Sequence, residues 1–220
     1  ASDINGFQLA SFLGRVIYGY DGKYLFTASI RKDGSSRFGK NNKWGYFPSG
    51  SVAWVLSKEK FMQNISAISN LKLRLSYGAT GNQEIGNYNS LATLGSWAAI
   101  IDDKNVKATY PDRIANADLK WESTAQVNTG IDLGLINGRI SMTAEYFKKK
   151  TTDLLYKKPV PSSTGFGDVL SNIGSVENKG FELAINTVNF DGEFKWTTGF
   201  TYTFQKNKNS EPWRTTCSIK

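Results

Sequence analysis

The fold is decided by the stretch ESTAQVNTGIDLGLINGRISMTAEYFKKKT, which covers residues 122–151. In both of its halves apolar or small side chains alternate with polar ones, and a period of two is typical of a β-strand with two different faces. Asn137-Gly138 separates the halves, and these residue types readily adopt the positive φ that both central positions of a type I′ turn require. The sequence therefore predicts a long antiparallel hairpin.

The same alternation extends outward along the chain. Residues 71–77 and 23–31 are predicted strands, each with one apolar face. Asp21-Gly22 and Asp191-Gly192 predict two further tight hairpins. Their flanking strands are predicted at residues 12–18, 24–31, 181–190 and 194–205. Apolar residues at roughly helical spacing predict a short amphipathic turn in residues 57–70, between two more strands.

The remaining links are long, polar and rich in Gly, Asn and Ser, at residues 32–45, 78–120 and 152–180. Because short and long links alternate along the chain, all the short ones are expected at one end of the sheet. Long strands with a polar second face are typical of outer-membrane barrels, where the apolar face meets lipid and the polar face lines a wet lumen. We therefore predict an all-β fold, an antiparallel up-and-down transmembrane β-barrel with about eight strands, and the family resemblance described below implies that they are a segment of a larger barrel. A soluble carbohydrate-binding β-sandwich is the alternative.

Composition excludes many enzyme classes. The chain of 220 residues has no histidine and one cysteine, Cys217. Catalytic triads that depend on imidazole and metal sites built from cysteines therefore cannot form. We predict no catalytic residues, no metal and no cofactor, and we expect that the protein is not an enzyme. The net charge of +8 leaves open a basic nucleic-acid-binding β-protein as a third interpretation.

Aromatic residues near the predicted strand ends fit the interfacial girdles of a membrane barrel, although ordinary core packing would also explain them. These residues are Tyr18, Tyr24, Tyr77, Trp121 and Tyr146.

The long loops contain the candidate ligand-binding residues. Flat aromatic side chains fit the apolar faces of sugar rings, and planar polar groups fit their hydroxyls, although the same side chains could simply pack the loops together. The candidates are Arg37, Trp44, Asn82, Tyr88 and Trp97.

Basic residues fall into two groups. Arg31, Arg37, Lys72 and Arg74 are expected to face the lumen, where they could guide a substrate or pair with carboxylates of a plug inside the barrel. Residues 148–150 and 157–158 are all lysines beside a long loop. This second group could contact anionic lipopolysaccharide, and a solvated run of charges is the simpler interpretation.

Four stretches resemble the SusC/RagA group of TonB-dependent outer-membrane transporters of Bacteroidetes. They are YLFTASIRKDGSSRFGKNNKWGYFP at residues 24–48, LKLRLSYGATGNQEIGNY at 71–88, WESTAQVNTGIDLGLINGRI at 121–140 and NIGSVENKGFEL at 172–183. The resemblance spans residues 12–205. We therefore assign residues 1–205 to a partial TonB-dependent receptor β-barrel and residues 206–220 to an unmatched tail, which a truncation, a frameshift or an excerpted domain would explain.

The resemblance implies a function. A complete member of the group resembles a barrel of about 22 strands with a plug in its lumen. It would import large nutrients, glycans or peptides, across the bacterial outer membrane. Its implied partners are outer-membrane lipid, a surface lipoprotein of the SusD type and TonB, and no nucleic acid.

Overall fold

The computed structural model describes residues 6–39 and 41–209. Within them the chain is built of β-strands and three short 3₁₀ turns. The strands are β1 (Leu9–Tyr20), β2 (Tyr24–Ser35), β3 (Trp44–Val55), β4 (Ile68–Asn82), β5 (Thr93–Ile101), β6 (Lys104–Arg113), β7 (Glu122–Leu135), β8 (Ile140–Thr152), β9 (Leu155–Pro159), β10 (Asp168–Asn172), β11 (Ser175–Asp191) and β12 (Lys195–Asn209). The 3₁₀ turns are Leu56–Lys58, Lys60–Met62 and Ser162–Thr164.

Eight strands form one antiparallel sheet in the order β1-β2-β3-β4-β7-β8-β11-β12. The other four form two separate hairpins, β5–β6 and β9–β10. The prediction of an all-β, up-and-down sheet with about eight strands is therefore confirmed. The main strands lie in a single sheet rather than in two packed sheets, so the described residues give no support to the β-sandwich alternative.

Two of the three predicted tight turns have the expected geometry. Asp21 and Gly22 have φ of 50° and 59°, and Asn137 and Gly138 have φ of 52° and 83°. In both turns the backbone N–H that follows the pair donates to the carbonyl that precedes it. The β11–β12 hairpin also forms, but the predicted turn type is wrong. Neither Asp191 nor Gly192 has a positive φ. An irregularity at Val188 shifts the register, so Asp191 pairs with Lys195 and the loop is residues 192–194.

The alternation of short and long links is also confirmed. Residues 21–23, 56–67, 136–139 and 192–194 connect strands at one end of the sheet, which we call the short-link end. Residues 36–43, 83–121 and 153–174 connect them at the opposite, long-loop end. The two small hairpins lie within the last two of these long loops.

The register divides the main sheet into two faces. Directly paired residues share a face, and one such row contains Phe26, Val52, Leu75, Thr129, Tyr146, Phe181 and Phe204. The adjacent row on the other side contains Thr27, Ser51, Ser76, Asn128, Phe147, Gly180 and Gln205. We call these sides the apolar face and the polar face. The large side chains of the apolar row are exposed, so this face has no covering layer within the described residues. In residues 6–39 and 41–209 no helix has the length and hydropathy needed to cross a membrane.

The buried apolar side chains lie at the long-loop end instead of beneath the sheet. Among the described residues they are Phe38, Phe47, Ile85, Leu119 and Trp121, which we call the loop-base cluster. Trp121 is only 8% exposed. Its prediction as an interfacial girdle residue is therefore wrong, because the ring packs inside this cluster. Tyr18, Tyr24, Tyr77 and Tyr146 are exposed on the apolar face. Tyr18 and Tyr24 lie near strand ends, as a girdle requires, whereas Tyr77 lies inside β4 and Tyr146 is the middle residue of β8.

Glu59 holds the compact link between β3 and β4. Its Oε1 atom accepts hydrogen bonds from Tyr24 Oη at 2.7 Å and Trp54 Nε1 at 3.0 Å. These bonds stabilise the carboxylate and lower the pKa of Glu59 below its ordinary value.

A group whose pKa is lowered by folding stabilises the fold above its ordinary pKa, and this contribution is lost as the pH falls through the folded value. Between neutral pH and a pH below the ordinary 4.5, native protein should therefore lose more stability than the Glu59→Gln variant. Urea unfolding of native protein and of Glu59→Gln at the two pH values measures how much stability each one loses. Equal losses in both proteins would contradict the assignment.

Candidate functional site

The loop-base cluster joins all three long loops. The ring of Trp121 lies 5.2 Å from that of Phe38 and 5.5 Å from that of Phe47, between ring centroids. Trp121 Nε1 donates to the carbonyl of Lys43 at 3.2 Å. Leu155 and Leu170, from the β9–β10 hairpin, pack against the cluster. The loops therefore stand on a shared apolar base.

Gly45 and Gly180 are two of the glycines that make room for aromatic rings. A Cβ atom at Gly45 would lie 2.6 Å from Cζ of Phe47, and one at Gly180 would lie 2.7 Å from Cζ of Phe147. Real Cβ atoms do not approach other atoms so closely. Gly45 therefore needs glycine because the Phe47 ring covers its backbone, and Gly180 needs it because both the Phe147 ring and the carbonyl oxygen of Phe204, at 2.5 Å, lie too close to an added Cβ atom.

Asn172 fixes the position of the third long loop. Its Nδ2 atom donates to the carbonyls of Lys120 at 2.8 Å and Asp153 at 2.9 Å, and its Oδ1 atom accepts from the Lys120 N–H at 2.9 Å. Sequence reasoning missed this residue as a positioning group. The available signal was its place at the start of NIGSVENKGFEL, one of the four family stretches.

Two of the five candidate ligand-binding residues line one cleft. Arg37 and Tyr88 bound an open cleft of about 460 Å³ together with Phe7, Asn87 and their neighbours. Arg37 Nε donates to Asn87 Oδ1 at 3.0 Å, and its guanidinium carbon lies 4.0 Å from the Phe7 ring centroid. The guanidinium is thus held in a fixed orientation beside an exposed tyrosine, which suits a ligand with both polar and flat apolar surfaces.

The other three candidates lie apart from one another. Asn82 ends β4, where its Oδ1 atom accepts the N–H of Glu84 at 3.0 Å, and the next residue, Gln83, accepts a bond from Arg37. Trp97 lies on the β5–β6 hairpin, 6.0 Å from the ring of Tyr110. Trp44 begins β3 on the apolar face, where Lys32 Nζ lies 4.7 Å from its ring.

The centre of the polar face carries a charged network around Arg74. Arg74 Nη2 lies 3.0 Å from Asp132 Oδ1 and 3.3 Å from Glu145 Oε2. The register places Gly130 between Arg74 and Glu145 in one row, and the absence of a side chain there lets the guanidinium cross to the next strand. Lys72 Nζ adds a second cation 3.9 Å from Asp132 Oδ2. Of the four basic residues predicted to share one side, Arg31, Lys72 and Arg74 lie on the polar face, whereas Arg37 lies in the loop between β2 and β3.

A single long family match covers these elements. The model of the family described as "TonB dependent receptor-like, beta-barrel" matches residues 2–216. The chain belongs to the TonB-dependent receptor-like β-barrel family. The eight-stranded sheet is accordingly an arc of a TonB-dependent receptor-like barrel, and β1 and β12 are its two unpaired edges within the described residues.

Relatives of this TonB-dependent receptor-like barrel support the SusC/RagA resemblance. TonB-dependent receptor P3 of Formosa agariphila is 42% identical over 209 residues, which are 94% of this chain and 21% of that protein. TonB-dependent receptor SusC of Bacteroides thetaiotaomicron is 38% identical over 206 residues, 91% of this chain and 20% of SusC. The chain thus spans about a fifth of the length of the curated relatives that it matches.

Solved structures agree with this grouping. A chain of the RagAB peptide transporter superimposes with a TM-score of 0.86 at 30% identity, over 94% of this chain and 23% of the other. The siderophore receptor PirA of Pseudomonas aeruginosa, at 14% identity and a TM-score of 0.58, shares the fold alone.

The Arg74 network of this barrel is expected to stabilise it modestly. Arg74→Met leaves Asp132 and Glu145 without their shared cation. Since the side chains are still a quarter to a third exposed, water screens the loss, and we expect a destabilisation of about 1–2 kcal/mol rather than the larger cost of a fully buried pair.

Denaturant unfolding of the closed barrel, meaning the complete barrel that contains this chain, measures the effect of Arg74→Met. Lys149→Met is the matched control, because it removes a cation from the same face with no carboxylate pairing among the described residues. An Arg74→Met variant no less stable than this control would contradict the role of the network.

Proposed function

We propose that the chain forms part of the wall of an outer-membrane TonB-dependent transporter that imports large nutrients, either glycans or peptides. One observation carries the proposal: a single sheet of long strands has an exposed apolar face on one side and a charged, hydrogen-bonded face on the other. A barrel in lipid needs this division, with the apolar side outward and the polar side toward a wet lumen. Family membership supports it.

Two unpaired sheet edges require further strands in lipid. In the bilayer core every backbone N–H and C=O must be satisfied internally, so an open sheet does not span a membrane. The described edges, β1 and β12, are not paired with each other. We propose that strands of a larger barrel pair with both of them.

The isolated chain should therefore aggregate in buffer without detergent. Its unpaired edges and exposed apolar face both favour association with other copies. Light scattering at rising protein concentration measures this, and detergent is expected to suppress it. A monodisperse monomer in plain buffer would contradict the barrel assignment and favour a soluble module.

The partners and substrates follow from the relatives as part of the proposal. A surface lipoprotein of the SusD type would cover the long-loop end, and TonB would act from the periplasm on the complete protein. The RagAB structure is described as a peptide transporter, which favours peptides, while exposed Tyr88 and Trp97 fit sugar rings. We propose that ligands contact Arg37 and Tyr88, whose cleft opens at the long-loop end.

An uptake experiment tests this function. Cells that lack the complete protein containing this chain are complemented with native protein or with the Arg37→Ala/Tyr88→Ala variant, and uptake of fluorescent oligosaccharides and oligopeptides is compared. Loss of one charge-assisted contact and one aromatic contact is expected to reduce uptake of one substrate class by about tenfold. The control, Lys60→Ala/Phe61→Ala, changes exposed residues at the short-link end.

If native protein and the control take up one substrate class and the cleft variant does not, the result supports both the transport function and the role of the cleft. Equal uptake of every substrate with and without the complete protein contradicts the transport function. Uptake that depends on the protein but not on Arg37 and Tyr88 contradicts only the cleft.

A further inference from the structure

The apolar face carries a row of lysines at its long-loop side. Lys179 on β11 is directly paired with Lys148 on β8 and with Lys206 on β12. The row below it, one step toward the short-link end on the same face, is Tyr146, Phe181 and Phe204. On this face, a row of three lysines therefore lies next to a row of three exposed aromatic residues, on the side nearer the long loops.

The next row toward the loops adds more positive charge. Lys150 and Lys208 flank Glu177 there, so the two rows contain five lysines and one carboxylate. Lys148 Nζ lies 3.2 Å from Glu177 Oε2. Among the residues that the structure describes, Lys179 and Lys206 have no carboxylate within ion-pair distance. The positive charge of these lysines therefore greatly exceeds the negative charge that the described residues place beside it.

This placement is set by the register and not by a run of charges alone. Of the consecutive residues Lys148, Lys149 and Lys150, the first and third lie on the apolar face and the second on the polar face. Lys179 and Lys206 join them from two other strands. A merely solvated charge run would not gather lysines from three strands on the side that carries the apolar band.

Like charges directly opposite each other in a sheet are destabilising, because their Cβ atoms lie only about 5 Å apart. An external anion would relieve this repulsion. Beside an aromatic band that faces lipid, the available anions are headgroups, and lysines attract anionic lipid over short distances.

We propose that Lys148, Lys179 and Lys206 form a binding site for the phosphate groups of an anionic outer-leaflet lipid. The inference rests on the proposed function, since it requires the apolar face to contact the membrane. The lipid phosphates lie against the lysine row while the acyl chains pack on Tyr146, Phe181 and Phe204.

The test compares two charge-matched variants of the closed barrel that contains this chain. Lys179→Gln/Lys206→Gln removes the two lysines without carboxylate partners. Lys149→Gln/Lys158→Gln removes the same charge from the polar face and from the β9–β10 hairpin. Each barrel is folded into phosphatidylcholine vesicles with and without bisphosphorylated lipid A, and the folding equilibrium constant is measured by urea titration.

Lipid A is expected to raise the folding constant of native protein and of the control variant about 30-fold more than that of Lys179→Gln/Lys206→Gln. In phosphatidylcholine alone, Lys179→Gln/Lys206→Gln should be at least as stable as native protein, because it removes repulsion.

An equal lipid A effect in all three proteins overturns the site. If inorganic phosphate added to phosphatidylcholine vesicles has the same effect, the site binds free phosphate and the proposal of a lipid ligand is wrong. A barrel that does not insert into either vesicle overturns the proposed membrane function as well, so the two failures are distinguishable.

Discussion

Arginine in place of Leu75 is expected to lower the free energy of unfolding of the closed barrel by about 2–4 kcal/mol, the cost of a cation near the middle of the lipid-facing surface. Leu75 lies midway along β4, and its side chain is exposed on the apolar face. Urea unfolding in phosphatidylcholine vesicles measures the change.

Ser76→Arg is the matched control for Leu75→Arg. Ser76 is the next residue of the same strand and lies on the polar face, paired with Ser51 and Asn128. There an added arginine stays in contact with water, so its effect should be within about 0.5 kcal/mol. Equal destabilisation by both substitutions would show that the apolar face is not the side in contact with lipid.

Truncation of Leu119 to alanine should also be costly, at about 2–5 kcal/mol, because it leaves a cavity in the loop-base cluster. Leu119 is completely buried among Phe38, Phe47, Ile85 and Trp121. Since this cluster supports all three long loops, proteolysis within those loops should become faster in the variant. Unfolding and limited proteolysis measure the two effects.

The control for Leu119→Ala is Leu91→Ala, the same truncation at a loop residue that is 53% exposed. It should change the free energy of unfolding by less than about 1 kcal/mol. If Leu119→Ala were as mild as Leu91→Ala, the cluster would not be the base of the loops.

Strand alternation was predictable because one face of this sheet is apolar and the other is polar. Residues 71–77 alternate strictly, and β4 contains them with the expected faces. Strand ends were less predictable. β2 continues to Ser35 through Asp33-Gly34, a pair that indicates a turn, because both residues pair with β1 on one side and with β3 on the other.

The β5–β6 hairpin was not predicted, because residues 78–120 were interpreted as a long loop. Its strands lack clean alternation, since Trp97, Ile100 and Ile101 are exposed in a ribbon of two strands. Its turn is Asp102-Asp103, with φ of 51° and 57°. Positive φ at two consecutive aspartates is uncommon, so the sequence carried no Asn-Gly or Asp-Gly signal.

The candidate site was predictable in its location but not in its grouping. The position of the long loops at one end follows from strand parity, and Arg37 and Tyr88 were named from chemistry. Their convergence depends on hydrogen bonds between residues far apart in sequence, such as Arg37 with Asn87. Trp44 was named for its loop position, and the register places it on the apolar face.

The lipid accessibility of β4 tests most directly whether this sheet is a barrel wall. After Cys217→Ser, single cysteines at residues 71–77 of the closed barrel carry spin labels, and collisions with oxygen, which partitions into lipid, are compared with those of a water-soluble nickel chelate. A wall with lipid on its apolar face and water on its polar face should give oxygen maxima at 71, 73, 75 and 77 and chelate maxima at 72, 74 and 76. Chelate access without a period of two, or in phase with oxygen, would contradict a barrel wall with lipid on one side and water on the other.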